Sequence, residues 1–218
     1  MQLTEGSMEE TVPTVFVVDD DASVRCALAR LIRSMGMQVK IFASGQELLG
    51  SQAPDGPACL VLDVRLAGES GLVLQDALRT SERCLPIIFI TGHGTVPICV
   101  QALKAGAVDF LLKPVDASNL LQAIAKALEE DRCTQEEQRK RAALARCVKT
   151  LTPREREVMA LVVTGLLNKQ IAYTLGTSEK TIKIHRAHVM QKMQATSVAE
   201  LVRMADTVGT GEWHASQQ

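Results

Sequence analysis

Hydrophobic and polar positions follow two different patterns along the chain, and the pattern changes near residue 129. In the first part, short continuous apolar runs are typical of buried parallel strands. They alternate with segments that carry apolar residues at helical spacing, such as residues 23–35, which Gly36 ends. This alternation predicts an α/β fold, a doubly wound five-stranded parallel sheet with helices on both faces. The predicted strands are residues 15–18, 39–42, 59–62, 87–90 and 108–112.

After residue 129 the pattern predicts helices alone. Residues 129–149 are charged and compatible with a helix, and we interpret them as a linker helix. Thr152 and Pro153 are the residue types of a helix start, and further helices are predicted over residues 154–164, 168–175, 179–193 and 197–206. We therefore predict a flexible tail (1–12), an α/β domain (13–128), the linker helix (129–149), a separate all-α domain (150–208) and a second flexible tail (209–218).

Charge changes along the chain at nearly the same place. Residues 139–218 contain 13 Lys and Arg against 6 Asp and Glu, whereas the first 138 residues contain 11 against 19. An acidic part joined to a basic helical part predicts that only the second part binds nucleic acid.

The sequence carries no signal for a membrane or an export pathway. No apolar run approaches the roughly 20 residues that cross a bilayer, and the polar N-terminal segment lacks the features of a signal peptide. We therefore expect a cytoplasmic protein with no membrane partner. The six cysteines are spread singly, which favours reduced thiols in that compartment. A disulfide between the linker cysteines of two subunits is the alternative.

Polar side chains stand at the ends of four predicted strands. Asp19 and Asp20 follow the first strand, Asp63 follows the third, Thr91 ends the fourth and Lys113 ends the fifth. Because the carboxyl ends of parallel strands meet at one sheet edge, we expect these side chains in one site. Crowded carboxylates repel one another unless a cation neutralises them, and oxygen ligands suit Mg²⁺ or Mn²⁺. Each residue alone is more often a cap or a turn residue, but together they predict an aspartate that accepts a phosphoryl group.

Four segments at these strand ends resemble the receiver domain of two-component response regulators, whose fold is flavodoxin-like. They are Val17-Val18-Asp19-Asp20-Asp21, Leu62-Asp63-Val64-Arg65, Ile90-Thr91-Gly92-His93-Gly94 and Lys113-Pro114. The resemblance implies that Asp63 is the phosphoacceptor, with Thr91 and Lys113 as phosphate contacts. It also implies a switch pair, Thr91 and Phe110, and a cis Lys113-Pro114 bond. The implied Mg²⁺ ligands are Asp19, Asp20, Asp63 and the backbone carbonyl of Arg65.

One segment departs from the receiver pattern. Leu66-Ala67-Gly68-Glu69 stands where the family often has Met-Pro. The loss of Pro loosens the loop beside the acceptor, and Glu69 adds a negative charge. We expect altered rates of phosphorylation or dephosphorylation, which an Ala67→Pro variant would test.

Residues 170–189 predict two helices around a tight turn, which Gly176 permits. Ser178 is suited to cap the second helix. The basic, hydrogen-bonding face of that helix is formed by Lys180, Thr181, Lys183, His185, Arg186, His188 and Lys192. Such a face suits insertion into the DNA major groove. An ordinary helical bundle with a solvated basic face is the alternative.

Three segments of this part resemble the LuxR-type helix-turn-helix domain: Leu151-Thr152-Pro153-Arg154-Glu155-Arg156-Glu157-Val158, Asn168-Lys169-Gln170-Ile171-Ala172 and Thr181-Ile182-Lys183-Ile184-His185-Arg186. With the receiver, they resemble response regulators of the FixJ/NarL type, and within it FixJ- and StyR-like regulators. The resemblance implies base-facing positions at Lys183, Ile184 and Ala187. The implied phosphate contacts are Lys169, Arg186 and His188, and Thr181 is a further implied DNA contact. The implied dimerisation residues of the last helix are Val198, Leu201 and Val202.

Together these resemblances imply a phosphorylation-activated transcription regulator. A sensor histidine kinase would phosphorylate Asp63, after which a homodimer would bind promoter DNA and recruit RNA polymerase, most simply as an activator. Two alternatives remain from the residues themselves. One is a phosphatase with an aspartate nucleophile, which Asp63-Val64-Arg65 fits poorly because a second aspartate two positions on is missing. The other is a module that binds a protein partner and no DNA.

Overall fold

The structure is a computed structural model of the chain, and it describes residues 12–52, 54, 56–80, 84–92 and 94–208. The described residues up to Gln135 form one compact unit, and those from Glu136 form a second. Each unit is described by itself. The two predicted tails, except Val12, lie outside the described residues, and so does His93.

The strands of the first unit are β1 (Thr14–Val18), β2 (Gln38–Phe42), β3 (Ala58–Asp63), β4 (Arg65–Leu66), β5 (Glu69–Ser70), β6 (Ile87–Thr91) and β7 (Asp109–Leu112). Five of them form a parallel sheet in the order β2-β1-β3-β6-β7. This arrangement confirms the predicted α/β fold. The two short strands β4 and β5 pair antiparallel directly after β3, and the sequence pattern did not predict them.

Alternating residues of the central strands supply two hydrophobic cores, one on each face of the sheet. In β1, Phe16 and Val18 belong to one core, whereas Val15 and Val17 belong to the other. A strand buried on both faces shows no polar alternation, which is why its sequence is a continuous apolar run. The helices that cover the sheet are α1 (Ala22–Ser34), α2 (Gly45–Leu49), α3 (Gly71–Thr80), α4 (Val96–Lys104) and α5 (Ala117–Lys149).

Helix α5 differs from the prediction of a linker helix that begins at residue 129, after the α/β domain. It continues for 33 residues, from Ala117 to Lys149. The physical reason is the absence of any Gly or Pro in this range, so that no residue ends the helix near position 129.

A buried carboxylate fixes α5 at the amino-terminal edge of the sheet. Asp131 is 5% exposed, and its Oδ2 accepts hydrogen bonds from the Ala58 amide at 2.8 Å and from Gln135 Nε2 at 2.7 Å. Gln135 Nε2 also donates to the Gly56 carbonyl at 3.2 Å. Burial raises the pKa of the neighbouring Cys59 thiol to about 12, with a further contribution from Asp131. Cys59 is therefore an inert packing residue, and all six cysteines are free thiols.

The second unit is a small helical bundle around its own core. Thr152 caps its first helix in a capping box, accepting from the Glu155 amide at 3.2 Å while its own amide donates to Glu155 Oε2 at 2.8 Å. The helices that follow α5 are α6 (Pro153–Val163), α7 (Asn168–Thr174), α8 (Glu179–Met193) and α9 (Val198–Val208). Among the described residues, no helix combines the length and apolar composition needed to span a bilayer.

Candidate functional site

The side chains predicted at the strand ends do meet at one edge of the sheet. Lys113 Nζ lies 2.6 Å from Asp19 Oδ2 and 2.5 Å from Asp63 Oδ2, so it joins the two carboxylates. Asp19 is fully buried and Asp63 is 6% exposed. The backbone amide of Lys113 donates to the Thr91 carbonyl at 2.8 Å, which ties the end of β7 to the end of β6.

The remaining hydrogen bonds orient Asp63. Its Oδ1 accepts from the Arg65 amide at 2.9 Å, while Lys113 holds Oδ2. Asp63 is paired with Ile90 in the ladder between β3 and β6, so Thr91 stands on the adjacent strand one residue further along. A carboxylate, an ammonium group and a hydroxyl are thus gathered where a tetrahedral anion could bind.

Three carboxylates at this edge could hold a divalent cation. Asp19, Asp20 and Asp63 each offer an oxygen atom, and these atoms lie within 4.8 Å of one another. Asp20 is exposed, which leaves the cluster open to solvent. Oxygen donors with an excess of negative charge over the single Lys113 fit a hard cation. The Arg65 carbonyl stays a predicted ligand.

Burial makes the ionised form of Asp19 costly. It raises the pKa of Asp19 above its usual value, and the charge of Asp63 adds to the effect, although Lys113 opposes it. A carboxyl with a raised folded-state pKa favours folding at low pH, and its full cost is present once the pH exceeds that pKa. At neutral pH, a bound cation would offset this cost.

Removing the Asp19 charge is therefore expected to stabilise the metal-free protein. In EDTA at pH 7, Asp19→Asn should raise the Tm by about 2–4 °C, the shift that roughly 1 kcal/mol produces in a chain of this size. Mg²⁺ should raise the Tm of the wild type by mass action and leave the variant unchanged. Asp76→Asn on α3, whose side chain is 75% exposed, is the control and should respond to Mg²⁺ like the wild type. An equal Mg²⁺ response in Asp19→Asn would remove Asp19 from the metal site.

Some residues near this site have roles that the sequence did not reveal. Asp21, the last residue of the acidic run, caps α1 by accepting from the Ser23 and Val24 amides. Arg25 Nη1 donates to the Asp19 carbonyl at 2.5 Å, and no local motif marks that contact. Gly68 turns β4 into β5 with a φ of +92°, a conformation that favours glycine. The β4–β5 pair contains the segment Leu66-Ala67-Gly68-Glu69, which departs from the receiver pattern. Its effect on the rates of phosphorylation and dephosphorylation stays a prediction.

The predicted switch pair lies beside an exposed apolar surface. Thr91 is 1% exposed, and the partly buried Phe110 packs on Phe89 with ring centroids 6.4 Å apart. Outside them lies what we call the α4–β7 surface. It consists of Val96 (76% exposed), Val100 (44%) and Leu103 (47%) on α4, and Leu112 (59%) at the end of β7.

In the second unit, α8 presents the predicted base-facing residues to solvent. Lys183, Ile184 and Ala187 are all exposed, and Ile184 is an apolar side chain with 51% exposure. His188 is exposed beside them, and Lys169 is exposed on α7. These five predicted DNA contacts are exposed, although His188 Nδ1 lies 3.6 Å from Oε1 of the buried Glu155.

Other polar residues of α8 bond within the bundle. Arg186 is half-buried, and its Nη1 donates to Asn168 Oδ1 at 2.9 Å. Thr181 shares a 2.8 Å hydrogen bond with Ser178 in the helix cap. Lys192, which the sequence pattern had placed on the basic face, instead bonds to the buried Glu155 at 2.6 Å. Burial opposes ionisation of Glu155, but Lys192 and the Thr152 donors outweigh it and hold the pKa of Glu155 below its usual value.

The predicted dimerisation residues of α9 do not share one environment. Leu201 is fully buried, so it belongs to the core of the bundle and does not form a contact surface. The reason is its position opposite α6, with which α9 packs. Val198 and Val202 are half-buried and remain candidates.

Two sequence families match the chain. Residues 15–125 match the response regulator receiver domain, and residues 149–205 match the bacterial regulatory proteins of the luxR family. The chain therefore belongs to the response regulators that join a receiver domain to a LuxR-type DNA-binding domain, a family of transcription regulators and not of metabolic enzymes. This assignment confirms the resemblance found in the sequence and does not support the phosphatase or the interaction module.

Particular relatives of this family are similar to the chain over nearly its whole length. Nodulation protein W of Bradyrhizobium diazoefficiens is 52% identical, over 98% of this chain and 93% of that protein. The transcriptional regulatory protein FixJ of Azorhizobium caulinodans is 41% identical, over 93% of this chain and 95% of that protein. The solved structure of response regulator StyR is 43% identical with a TM-score of 0.80, and the match covers 89% of this chain and 98% of that one.

Proposed function

We propose that a sensor histidine kinase phosphorylates Asp63 in the cytoplasm, and that the phosphorylated protein forms a homodimer, binds promoter DNA and activates transcription through RNA polymerase. The observation that carries this proposal is the bridge from Lys113 to both Asp19 and Asp63 beside Thr91. We assign residues 13–128 to the receiver, completed by the α5 residues up to Gln135, and residues 150–208 to the DNA-binding domain, with the rest of α5 as the helical linker.

In the proposed reaction, a carboxylate oxygen of Asp63 attacks the phosphorus of a phosphohistidine on the kinase. The new oxygen–phosphorus bond forms as the nitrogen–phosphorus bond breaks, and the histidine leaves with its electron pair. A Mg²⁺ or Mn²⁺ ion held by Asp19, Asp20, Asp63 and the Arg65 carbonyl would neutralise charge on the phosphoryl group. The receiver thereby promotes its own phosphorylation and, by attack of water on the acyl phosphate, its own dephosphorylation.

Phosphorylation changes the partners of two residues. Lys113 transfers a hydrogen bond from the carboxylates to a phosphoryl oxygen, and the Thr91 hydroxyl donates to another. When Thr91 moves towards Asp63, it leaves space that the Phe110 ring enters. The movement alters the α4–β7 surface, so phosphorylation acts through a local two-state element.

The α4–β7 surface is the proposed contact between two receivers. Val96, Val100 and Leu103 follow one another at spacings of four and three residues, which places them on one face of α4. An exposed group of apolar side chains of this kind marks an interaction site. We propose that Val198 and Val202 on α9 make a second contact when two DNA-binding domains occupy half-sites about one helical turn apart.

A charge on the α4–β7 surface is expected to block assembly without blocking phosphorylation. With Mg²⁺ and beryllofluoride, which imitates the phosphoryl group, the wild type should sediment as a dimer and Val100→Asp as a monomer. Val73→Asp is a matched control, because Val73 is an apolar residue with 63% exposure on α3. It should dimerise like the wild type. Full dimerisation of Val100→Asp would show that the receivers meet elsewhere.

Two lysines are expected to affect DNA binding in different ways. Lys183→Ala should cost about 1–3 kcal/mol on a specific site and relax the preference at one base pair, because this side chain faces bases. Lys169→Ala should weaken binding to all sequences and lower the salt slope by about 1, as a lost phosphate contact does. Lys140→Ala on α5, with a side chain 73% exposed, is the control. Binding titrations at several salt concentrations distinguish the three variants. If Lys183→Ala and Lys169→Ala showed the same sequence preference and the same salt slope, the roles assigned to the two lysines would be wrong.

A further inference from the structure

Gly94 lies between β6 and α4, where three side chains converge on it. A Cβ atom built on Gly94 would stand 3.1 Å from Thr91 Cγ2, 3.0 Å from Phe110 Cε1 and 2.6 Å from Leu112 Cδ2. The first two are the members of the switch pair, and the third belongs to the α4–β7 surface. All three distances are shorter than ordinary van der Waals contact between carbon atoms.

Crowding distinguishes Gly94 from Gly92, the other glycine after β6. Gly92, which directly follows β6, would have nothing within 4 Å of an added Cβ. The tight fit is therefore specific to Gly94.

The three neighbours differ in how easily they can move. Leu112 is 59% exposed, so the end of its side chain can turn into solvent. Thr91 is 1% exposed and Phe110 is held against Phe89, so neither can retreat in the resting arrangement. In the proposed switch, however, both leave these resting positions: Thr91 moves towards Asp63, and Phe110 turns into the space that Thr91 vacates.

We propose that Gly94 is a positioning residue of the switch. Its missing side chain leaves room for the resting positions of Thr91 and Phe110, and a methyl group there favours the active arrangement without phosphorylation. This inference rests on the proposed function, since it assumes the same two-state switch.

The test compares Gly94→Ala with Gly92→Ala in the full chain, with Mg²⁺ and with or without beryllofluoride. The chain has four phenylalanines, so ¹³C-labelled Phe gives few signals, and Phe110→Leu identifies that of Phe110. We expect Gly94→Ala alone to move the Phe110 signal towards its position in beryllofluoride-treated wild type, and to raise the dimer fraction about fivefold or more. Gly92→Ala should match the untreated wild type.

Two outcomes separate this inference from the proposed function. If beryllofluoride moves the Phe110 signal of the wild type but Gly94→Ala alone does not, Gly94 has no positioning role and the proposed function stands. If the wild type itself does not respond, the proposed switch is wrong and the inference falls with it. Should Gly94→Ala fail to fold, Gly94→Ala/Leu112→Val removes Cδ2, the one contact under 3 Å, and keeps the two contacts that carry the inference. Because Leu112 belongs to the α4–β7 surface, this double variant is compared with Leu112→Val alone. The same outcomes then decide.

Discussion

Asp63→Asn is expected to abolish phosphorylation of the protein and, with it, the change in assembly state. The amide has nearly the shape of the carboxylate but is not a nucleophile towards phosphorus. In the wild type, the Asp63 carboxylate accepts from Lys113 Nζ at 2.5 Å and from the Arg65 amide at 2.9 Å. The single carbonyl oxygen of asparagine can still accept from one of these two donors. The fold should therefore survive while the reaction does not.

Phosphorylation is measured by the transfer of radiolabelled phosphate from a phosphorylated histidine kinase or from acetyl phosphate. Sedimentation with Mg²⁺ measures the change in assembly state. Asp76→Asn on α3 serves as the control and should be labelled like the wild type. Labelling of Asp63→Asn at the wild-type rate would mean that another carboxylate accepts the phosphoryl group, and Asp20, the exposed member of the cluster, would be the first to examine.

Gly71→Ala is expected to cause a large loss of stability. An added Cβ would stand 3.2 Å from both Leu62 Cγ and Phe89 Cε1, and closer still to the carbonyl oxygen of Asp63. Backbone at the end of β3 cannot move aside as a flexible side chain can. Overpacking of this kind costs about 1–3 kcal/mol, and because it displaces Asp63 itself, phosphorylation should also slow.

Urea unfolding measures the loss of stability, and phosphate transfer measures the slower phosphorylation. Gly50→Ala is a matched control, since its Cβ would lie 3.6 Å from the nearest atom, the Gln46 carbonyl oxygen, with an ordinary φ of −79°. It should be close to the wild type. Wild-type stability of Gly71→Ala would imply that the start of α3 shifts without strain.

The elements were predictable where a local pattern determines them. The apolar runs of β1 and β3 predict buried strands because residues on both faces of each strand enter a core. The acidic cluster around Lys113 was predictable because parallel topology brings strand ends together. The extent of α5 was not predictable. Charged surface residues give the same sequence pattern in a helix that packs on a domain and in a helix that continues beyond it.

Contacts between residues distant in sequence left no local signal. Asp131 bonds to Ala58, 73 residues away, and nothing in the sequence around it distinguishes it from the exposed acids of the same helix. Lys192 and Leu201 were misplaced for a related reason. Helical spacing orders side chains around an axis, but packing against α6 decides which of them turn inward.

The bonds of Asp131 and Gln135 set where the receiver can be cut from the rest of the chain. The match to the receiver family ends at residue 125, and a fragment ending there would leave the Ala58 amide, at the buried start of β3, without its acceptor. An orphaned buried amide costs about 1–3 kcal/mol. A fragment that reaches beyond Gln135 keeps the bonds of Asp131 and Gln135 to Ala58 and Gly56. Residues 126–135, which lie outside the match to the receiver family, are therefore needed to complete the receiver's own fold.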